Sequence, residues 1–323
     1  MSSSEVLLVI TPFVPKPEWL AHLKAKCPNV EVITYPTELY SQEVPKEVPA
    51  DVWKRTTSLF TWKAFPPKEW VPNLKFVQLL SAGCAQIFGL PLFEETEIAF
   101  STSNGSHAPQ VSEWVIGTWL AHQHFFGILG YGNIGRQVAK IATTLGMDVH
   151  AYTLHERATA ESRKDDGFVE TGLGDPNGLL PSKWFHGKEQ LNDFLASDLD
   201  LLVILLPLTE QTKNMISKEQ FALLSKKKTY VCNAGRGPII NTEDLITALD
   251  TEQIRGAALD VTDPEPLPSN SKLWGYKNVI ITPHCAGNSN HVYERVFKIL
   301  TYNLERRSKG EQPINKVGKS LGY

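Results

Sequence analysis

Gly130, Gly132 and Gly135 stand in G-x-G-x-x-G spacing, a pattern that binds phosphate through the main chain. The first glycine lets the chain turn sharply, the second lets a pyrophosphate approach the backbone, and the third lets a helix pack closely on a strand. The helix that follows offers unpaired N–H groups to the anion. The surrounding residues agree with this reading. Residues 125–129 form an apolar run suited to a buried parallel strand. Val138, Ile141, Ala142 and Leu145 then share one helical face, Gly146 stops the helix, and 149–152 resume a strand. Residues 125–153 therefore read as the strand, turn, helix and strand of a dinucleotide site.

The end of that second strand bears on which dinucleotide is bound. A carboxylate there accepts hydrogen bonds from the ribose hydroxyls and repels a 2′-phosphate. This chain has Thr153, followed by Leu154, His155, Glu156 and Arg157. Arg157 suits a 2′-phosphate as a charge-assisted fork, so NADP(H) is favoured. NAD(H) is the alternative, and it holds if Glu156 turns inward or Arg157 is only a solvated loop charge.

These residues must be held by a chain of 323 residues, long enough for two domains. Hydrophobic content of 42% and charged content of 21% are those of a globular protein. A net charge of −3 gives no sign of a nucleic-acid partner or an acidic membrane surface. Cys27, Cys84, Cys232 and Cys285 show no metal-binding spacing, so no metal is assigned. The start MSSSEVLLVI fits a first strand better than a leader peptide, and no stretch approaches a membrane span, so a cytoplasmic enzyme is expected.

In order along the chain, 6–10, 30–35, 59–62 and 74–80 read as strands and 17–27 as a helix opened by proline. Leu80-Ser81-Ala82-Gly83-Cys84 ends a strand in small residues and leaves backbone N–H groups at a sheet's carboxyl edge, where ligands of open α/β sheets sit. Residues 109–120 read as a helix. After the glycine motif, 157–187 is polar and rich in Gly and Pro, and is expected to be a long exposed loop. Strands at 200–206, 230–233, 256–261 and 279–282 alternate with helices at 217–224 and 242–249, and 291–307 is a final helix. The period is that of a doubly wound parallel sheet, giving an α/β fold with a Rossmann-type domain.

Three strand ends in the second half carry unusual polar groups. Asn233-Ala234-Gly235-Arg236-Gly237 projects a guanidinium from a turn of small residues, Asp260 precedes Asp263-Pro264-Glu265-Pro266, and Thr282-Pro283-His284 follows the last strand. With the glycine motif and Leu206-Pro207-Leu208-Thr209, these segments resemble, in order, those of the D-isomer-specific 2-hydroxyacid dehydrogenases, among them glyoxylate and hydroxypyruvate reductases. The resemblance covers residues 5–323.

It implies a flavodoxin-like substrate domain over 1–121, a Rossmann domain over 122–288, and a C-terminal helix, 289–323, that returns to the first domain, with substrate in the cleft between the domains. It further implies that Arg236 binds the carboxylate and keto oxygen of a small 2-keto acid, that His284 exchanges the proton, and that Glu265 fixes the His284 tautomer. Backbone N–H groups near Ala82 and Gly83 would grip the carboxylate. The cofactor would lie against Gly130, Gly132, Asn133, Ile134, Gly135, Thr153, Arg157, Leu206, Pro207, Thr212, Asn233, Ala234 and Gly287, with Asp260 on the nicotinamide carboxamide. Taken singly, His284 could be a structural histidine, Arg236 a surface ion pair and Glu265 loop punctuation; their joint place at strand ends favours the catalytic reading. His107 is the other histidine that could touch substrate.

The chain departs from the family pattern just before Phe125, where a few tens of residues that resemble the family's linker and dimerisation arm are missing. A homodimer is what the resemblance implies, and the missing arm bears directly on it. The competing expectation is a nucleotide-sensing or catalytically impaired form of the same fold.

Overall fold

The computed structural model describes residues 5–120, 126–165 and 167–318. The short passage before Phe125, where the family segment is missing, falls on residues 121–125 and lies outside the described residues. The chain divides into two units, residues 1–106 with 290–323, and residues 107–289.

Unit 1 is a five-stranded parallel sheet in the order β2-β1-β3-β4-β5, the flavodoxin-like order. Its strands are β1 (Glu5–Ile10), β2 (Val30–Thr34), β3 (Ser58–Thr61), β4 (Phe76–Leu79) and β5 (Ala99–Ser101). Helices α1 (Pro17–Lys26), α2 (Ala50–Arg55) and α3 (Pro91–Glu94) connect them. Leu8 and Ile10 of β1 enter one core cluster and Leu7 and Val9 the other, because strand side chains alternate between faces. The long C-terminal helix buries Val296, Phe297, Leu300 and Leu304 against the second of these faces. Asn303 on that helix donates to Gln78 Oε1 of β4 at 2.8 Å and accepts from the Ile314 N–H at 2.8 Å.

Unit 2 contains α4 (Ala108–Leu120), β6 (Phe126–Leu129), α5 (Asn133–Thr144), β7 (Val149–Thr153), α6 (Ala160–Arg163), β8 (Lys183–His186), α7 (Leu191–Leu195), β9 (Leu201–Ile204), α8 (Lys218–Leu224), β10 (Tyr230–Asn233), α9 (Thr242–Asp250), β11 (Gly256–Leu259) and β12 (Val279–Ile281). The C-terminal helix of unit 1 is α10 (Val292–Ser308). The seven strands of unit 2 are parallel in the order β12-β11-β10-β9-β6-β7-β8. Leu202 and Ile204 face one core, Leu201 and Val203 the other.

Two expectations are corrected. Helix α4, expected to close the first domain, packs on α5: Val111, Val115 and Ile116 share a cluster with Val138, Ala139 and Ala142, so the division falls after Ser106 rather than at 121. Residues 157–187, expected to be an exposed loop, contain α6 and β8 and bury Asp175. Strand β8 extends the sheet beside β7, with Tyr152 opposite Phe185. Buried Arg136 of α5 holds the rest of this segment, with Nη1 on the Asp175 carbonyl at 2.6 Å and Nη2 on the Arg163 carbonyl at 2.7 Å.

Candidate functional site

All seven strands of unit 2 point the same way, so their carboxyl ends form one edge, and the chain reverses its direction of strand addition between β6 and β9. Ligands of open α/β sheets bind at such a switch point. The glycine turn lies there. Gly130 has φ +112°, and a Cβ on it would stand 2.9 Å from the backbone of Leu205 and Leu206 after β9, so the turn is pressed against its neighbour. A Cβ on Gly135 would come 2.4 Å from the Gly130 carbonyl oxygen, which is the close helix–strand approach expected of the third glycine. A Cβ on Gly132 meets nothing within 4 Å.

The site fits a dinucleotide pyrophosphate by two independent observations. The space beside Gly132 is one that any side chain would fill, and no side chain caps the N-terminus of α5. The first N–H groups of α5 are therefore main-chain donors of the kind an anion needs.

At the end of β7, Thr153 Oγ1 donates to the His155 carbonyl at 2.7 Å. Arg157 is half-buried, and its Nη1 is anchored on the Ser162 carbonyl, while Arg163 Nε donates to the Arg157 carbonyl at 2.9 Å. Glu156 is exposed. After β9, Leu206 is buried, and Thr212 Oγ1 donates to the Pro207 carbonyl at 2.7 Å, which fixes that turn.

The β10, β11 and β12 ends carry the side chains. Asn233 organises the first turn, accepting from Gly235 N–H at 3.1 Å and donating to the Arg236 carbonyl at 3.0 Å. Arg236 is exposed, with one donor, Nη1, on the Gly235 carbonyl at 2.7 Å. The following residue must be glycine, because a Cβ on Gly237 would overlap the Thr262 carbonyl oxygen at 1.9 Å.

Asp260, only 3% exposed, anchors the last turn. Its Oδ1 accepts from Thr282 Oγ1 at 2.6 Å and from the N–H groups of Cys285 and Ala286 at 2.9 and 3.0 Å. Its backbone carbonyl accepts from the His284 N–H at 2.8 Å. Expected to hold a carboxamide, Asp260 thus also positions the histidine; its Oδ2 carries one hydrogen bond, from the Ala286 N–H at 3.1 Å. His284 sits at φ +52°, a left-handed conformation uncommon for a side-chain-bearing residue and costing of order 1–3 kcal/mol. Its Nδ1 lies 2.7 Å from Glu265 Oε1, and the side chains stay 50% and 41% exposed. The pair leaves Nε2 as the outward nitrogen.

His107 Cδ2 would stand 2.7 Å from a Cβ on Gly287, and Gln110 Nε2 donates to the Gly287 carbonyl at 2.9 Å. Absence of a side chain at Gly287 is what admits the imidazole.

Unit 1 holds the remaining expected residues. Ala82 and Gly83 follow β4, where Ser81 Oγ donates to the Gly83 carbonyl at 2.7 Å. Gln86, which sequence reasoning missed, donates to Ser81 Oγ at 2.7 Å and to the Trp62 carbonyl at 3.3 Å, tying this turn to the one after β3.

Also missed was a polar stripe on α5. Asn133, Arg136, Gln137 and Lys140 repeat at three- and four-residue intervals and all bond to the segment after β7: Asn133 Nδ2 to the Phe168 carbonyl at 3.3 Å, Gln137 Oε1 to the Gly174 N–H at 2.6 Å, and Lys140 Nζ to the Gly172 carbonyl. In sequence such a stripe reads as a solvated face. Beside it, Tyr131 of the glycine turn donates to Asp175 Oδ2 at 2.8 Å; burial, and then the nearby carboxylate, push its phenol well above the ordinary value.

Comparison with known proteins agrees with this geometry. The family profile described as "D-isomer specific 2-hydroxyacid dehydrogenase, NAD binding domain" matches residues 101–173 and 185–286. A hydroxypyruvate reductase of Blautia hydrogenotrophica is 34% identical over 193 residues, 60% of this chain and 52% of that protein. A glyoxylate reductase of Aeropyrum pernix is 35% identical over 195 residues, 60% of this chain and 52% of that protein. The chain thus spans about half the length of these curated relatives. A D-isomer-specific 2-hydroxyacid dehydrogenase of Xanthobacter autotrophicus Py2, solved in complex with NADPH and MES, superimposes with a TM-score of 0.74 at 25% identity, covering 99% of this chain and 100% of its own. With the family profile matching more than half of its length, this chain belongs to the D-isomer-specific 2-hydroxyacid dehydrogenases.

Proposed function

We propose that the protein is an NADP(H)-preferring reductase of small 2-keto acids, such as glyoxylate or hydroxypyruvate, forming D-2-hydroxy acids. The observation that carries this reading is the His284–Glu265 pair, 2.7 Å apart on the same sheet edge as an uncapped glycine turn. Relatives named hydroxypyruvate and glyoxylate reductase support the substrate class, and the NADPH complex of the Xanthobacter enzyme supports the cofactor. When bound, the reduced nicotinamide supplies the hydride that adds to C2 of the keto acid.

The chain's own residues do the rest. The pyrophosphate lies on Gly130, Gly132, Asn133, Ile134 and Gly135, with Leu206, Pro207, Thr212, Asn233, Ala234 and Gly287 lining the cofactor and Asp260 on its carboxamide. Thr153 and Arg157 meet the 2′-phosphate; Arg157, anchored by one nitrogen, keeps other N–H donors for it. Arg236 draws the carboxylate and keto oxygen into a fixed orientation with its remaining donors. His284 gives the proton on Nε2 to the keto oxygen, and Glu265 accepts the hydrogen bond from Nδ1–H, holding the ring in the tautomer and orientation the transfer requires. The backbone at Ala82 and Gly83 in unit 1 is the second carboxylate-binding element.

A cytoplasmic location and a homodimer belong to the same reading. Among the described residues no helix is long and apolar enough to cross a membrane. The arm of the family dimer corresponds to the segment missing before Phe125, so assembly state is to be measured directly by light scattering.

Chiral analysis of glycerate formed from hydroxypyruvate and NADPH tests the assignment. D-glycerate is expected, and L-glycerate would place the nicotinamide and His284 on the wrong faces of the carbonyl.

A further inference from the structure

Residues 174–184, which the family profile leaves unmatched, contain one of the few buried carboxylates of unit 2. Asp175 is 6% exposed, and both oxygens are used. Oδ1 accepts from the Leu179 N–H at 3.0 Å; Oδ2 accepts from the Leu180 N–H at 3.1 Å and from the Tyr131 hydroxyl at 2.8 Å. A buried carboxylate with this set of donors is held rigidly, since leaving it unpaired is costly. Tyr131 is the residue between the first two glycines of the phosphate turn. The edge of its ring meets Trp184 at 5.0 Å between centroids, and the Arg136 guanidinium lies 5.2 Å from the ring centroid.

A turn containing Gly130 and Gly132 has much backbone freedom to lose when it closes on an anion, and any group that fixes it beforehand lowers that cost. Here the fixing group lies 44 residues away, and α5 holds the intervening chain with Arg136, whose Nε is also 3.5 Å from Asp165 Oδ2. We infer that Asp175 is a cofactor-positioning residue: through the Tyr131 hydroxyl it holds the glycine turn in the shape that receives the pyrophosphate of a nicotinamide dinucleotide. This rests on the dinucleotide reading above.

The test uses the full chain and two probes, NADPH and ADP-ribose, which has the pyrophosphate but no nicotinamide, with dissociation constants from calorimetry. Asp175→Asn and Tyr131→Phe are each expected to weaken both probes by about ten-fold, the factor lost with one hydrogen bond to a charged group. KM for NADPH should rise similarly, with kcat at saturating NADPH within about two-fold of the parent. The double variant should bind no more weakly than the weaker single variant, because both remove one bond. Tyr131→Phe leaves the Asp175 contacts to Leu179 and Leu180 in place, so it carries the test where Asp175→Asn fails to fold. Parent protein that binds both probes while Tyr131→Phe binds them equally well overturns this inference alone. A fall in kcat with unchanged probe affinity does the same. Parent protein that binds neither probe overturns the dinucleotide reading and the inference together.

Discussion

At the β10, β11 and β12 ends of the unit 2 sheet, the outward polar groups are side chains. Arg236 is exposed, and His284 and Glu265 keep about half of their side-chain surface. At the β6 end of the same edge, the outward groups are main-chain N–H groups of a glycine turn, with no side chain between them and solvent at Gly132. Behind each lies a buried carboxylate: Asp260 behind the histidine turn, Asp175 behind the glycine turn. The contrast shows two ways of presenting polarity at one sheet edge. A proton and a carboxylate need groups that move or fork, so side chains are set out and anchored by their turn. A pyrophosphate needs several convergent donors, which only backbone without a Cβ can supply.

The comparison breaks most decisively at His284. His284→Ala should lower kcat by about 10²–10⁴-fold while NADPH affinity from calorimetry stays near that of the parent, because only the side-chain half of the edge is lost. Unchanged turnover would remove His284 from the chemistry. Next, Arg236→Ala should lower kcat/KM for glyoxylate roughly 100-fold, and Arg236→Lys should restore little, since an ammonium cannot fork; full recovery with lysine would reduce the role to net charge.

The backbone half is sharpened by a pair of glycine variants. Gly132→Ala adds a Cβ where nothing lies within 4 Å, so melting temperature should hold while NADPH binding weakens about ten-fold. Gly135→Ala adds one 2.4 Å from the Gly130 carbonyl oxygen and should destabilise the fold by about 1–3 kcal/mol in denaturant titration. Equal effects of the two would mean that Gly132 is not beside the phosphate. Arg157→Ala should raise KM for NADPH several-fold and leave KM for NADH nearly unchanged; equal effects on both cofactors would sink the 2′-phosphate assignment.

The smallest expected effect is on stability. Burial, with Lys183 adding to it and Asp148 opposing, holds the His150 imidazole below its ordinary value. As pH falls, the unfolded chain takes up a proton at this position before the folded chain does. The stability due to the neutral ring is therefore complete above the ordinary histidine value and declines as pH falls through it toward the folded value. His150→Gln should reduce the loss of melting temperature between about pH 7.5 and 5.5, and an unaltered loss would place that pH dependence elsewhere.

The side-chain half of the edge was legible in sequence because its residue types state their chemistry, and because the strand period fixes which residues stand at strand ends. His284 and Glu265 are 19 residues apart, yet the last two strands bring them into contact. The glycine turn was legible because three glycines at fixed spacing each had a distinct steric task, and each has the surroundings that task requires.

The brace behind Tyr131 was not. Its partners are 27 to 44 residues apart, and the stripe Asn133, Arg136, Gln137 and Lys140 has the composition of a solvated helix face. Strand β8 was hidden because Lys-Trp-Phe-His is short and flanked by Pro181 and Gly187. The place of α4 was ambiguous for a related reason: Val111, Val115 and Ile116 form an apolar face that suits either sheet, and only packing on α5 assigns it.

The most direct test of the proposed activity is the rate of NADPH and NADH consumption by folded, purified protein with glyoxylate or hydroxypyruvate as acceptor. Turnover with both acids, faster with NADPH, is the expected result. No consumption of either cofactor by protein that still binds NADPH would contradict the reductase and leave a nucleotide-binding protein of the same fold.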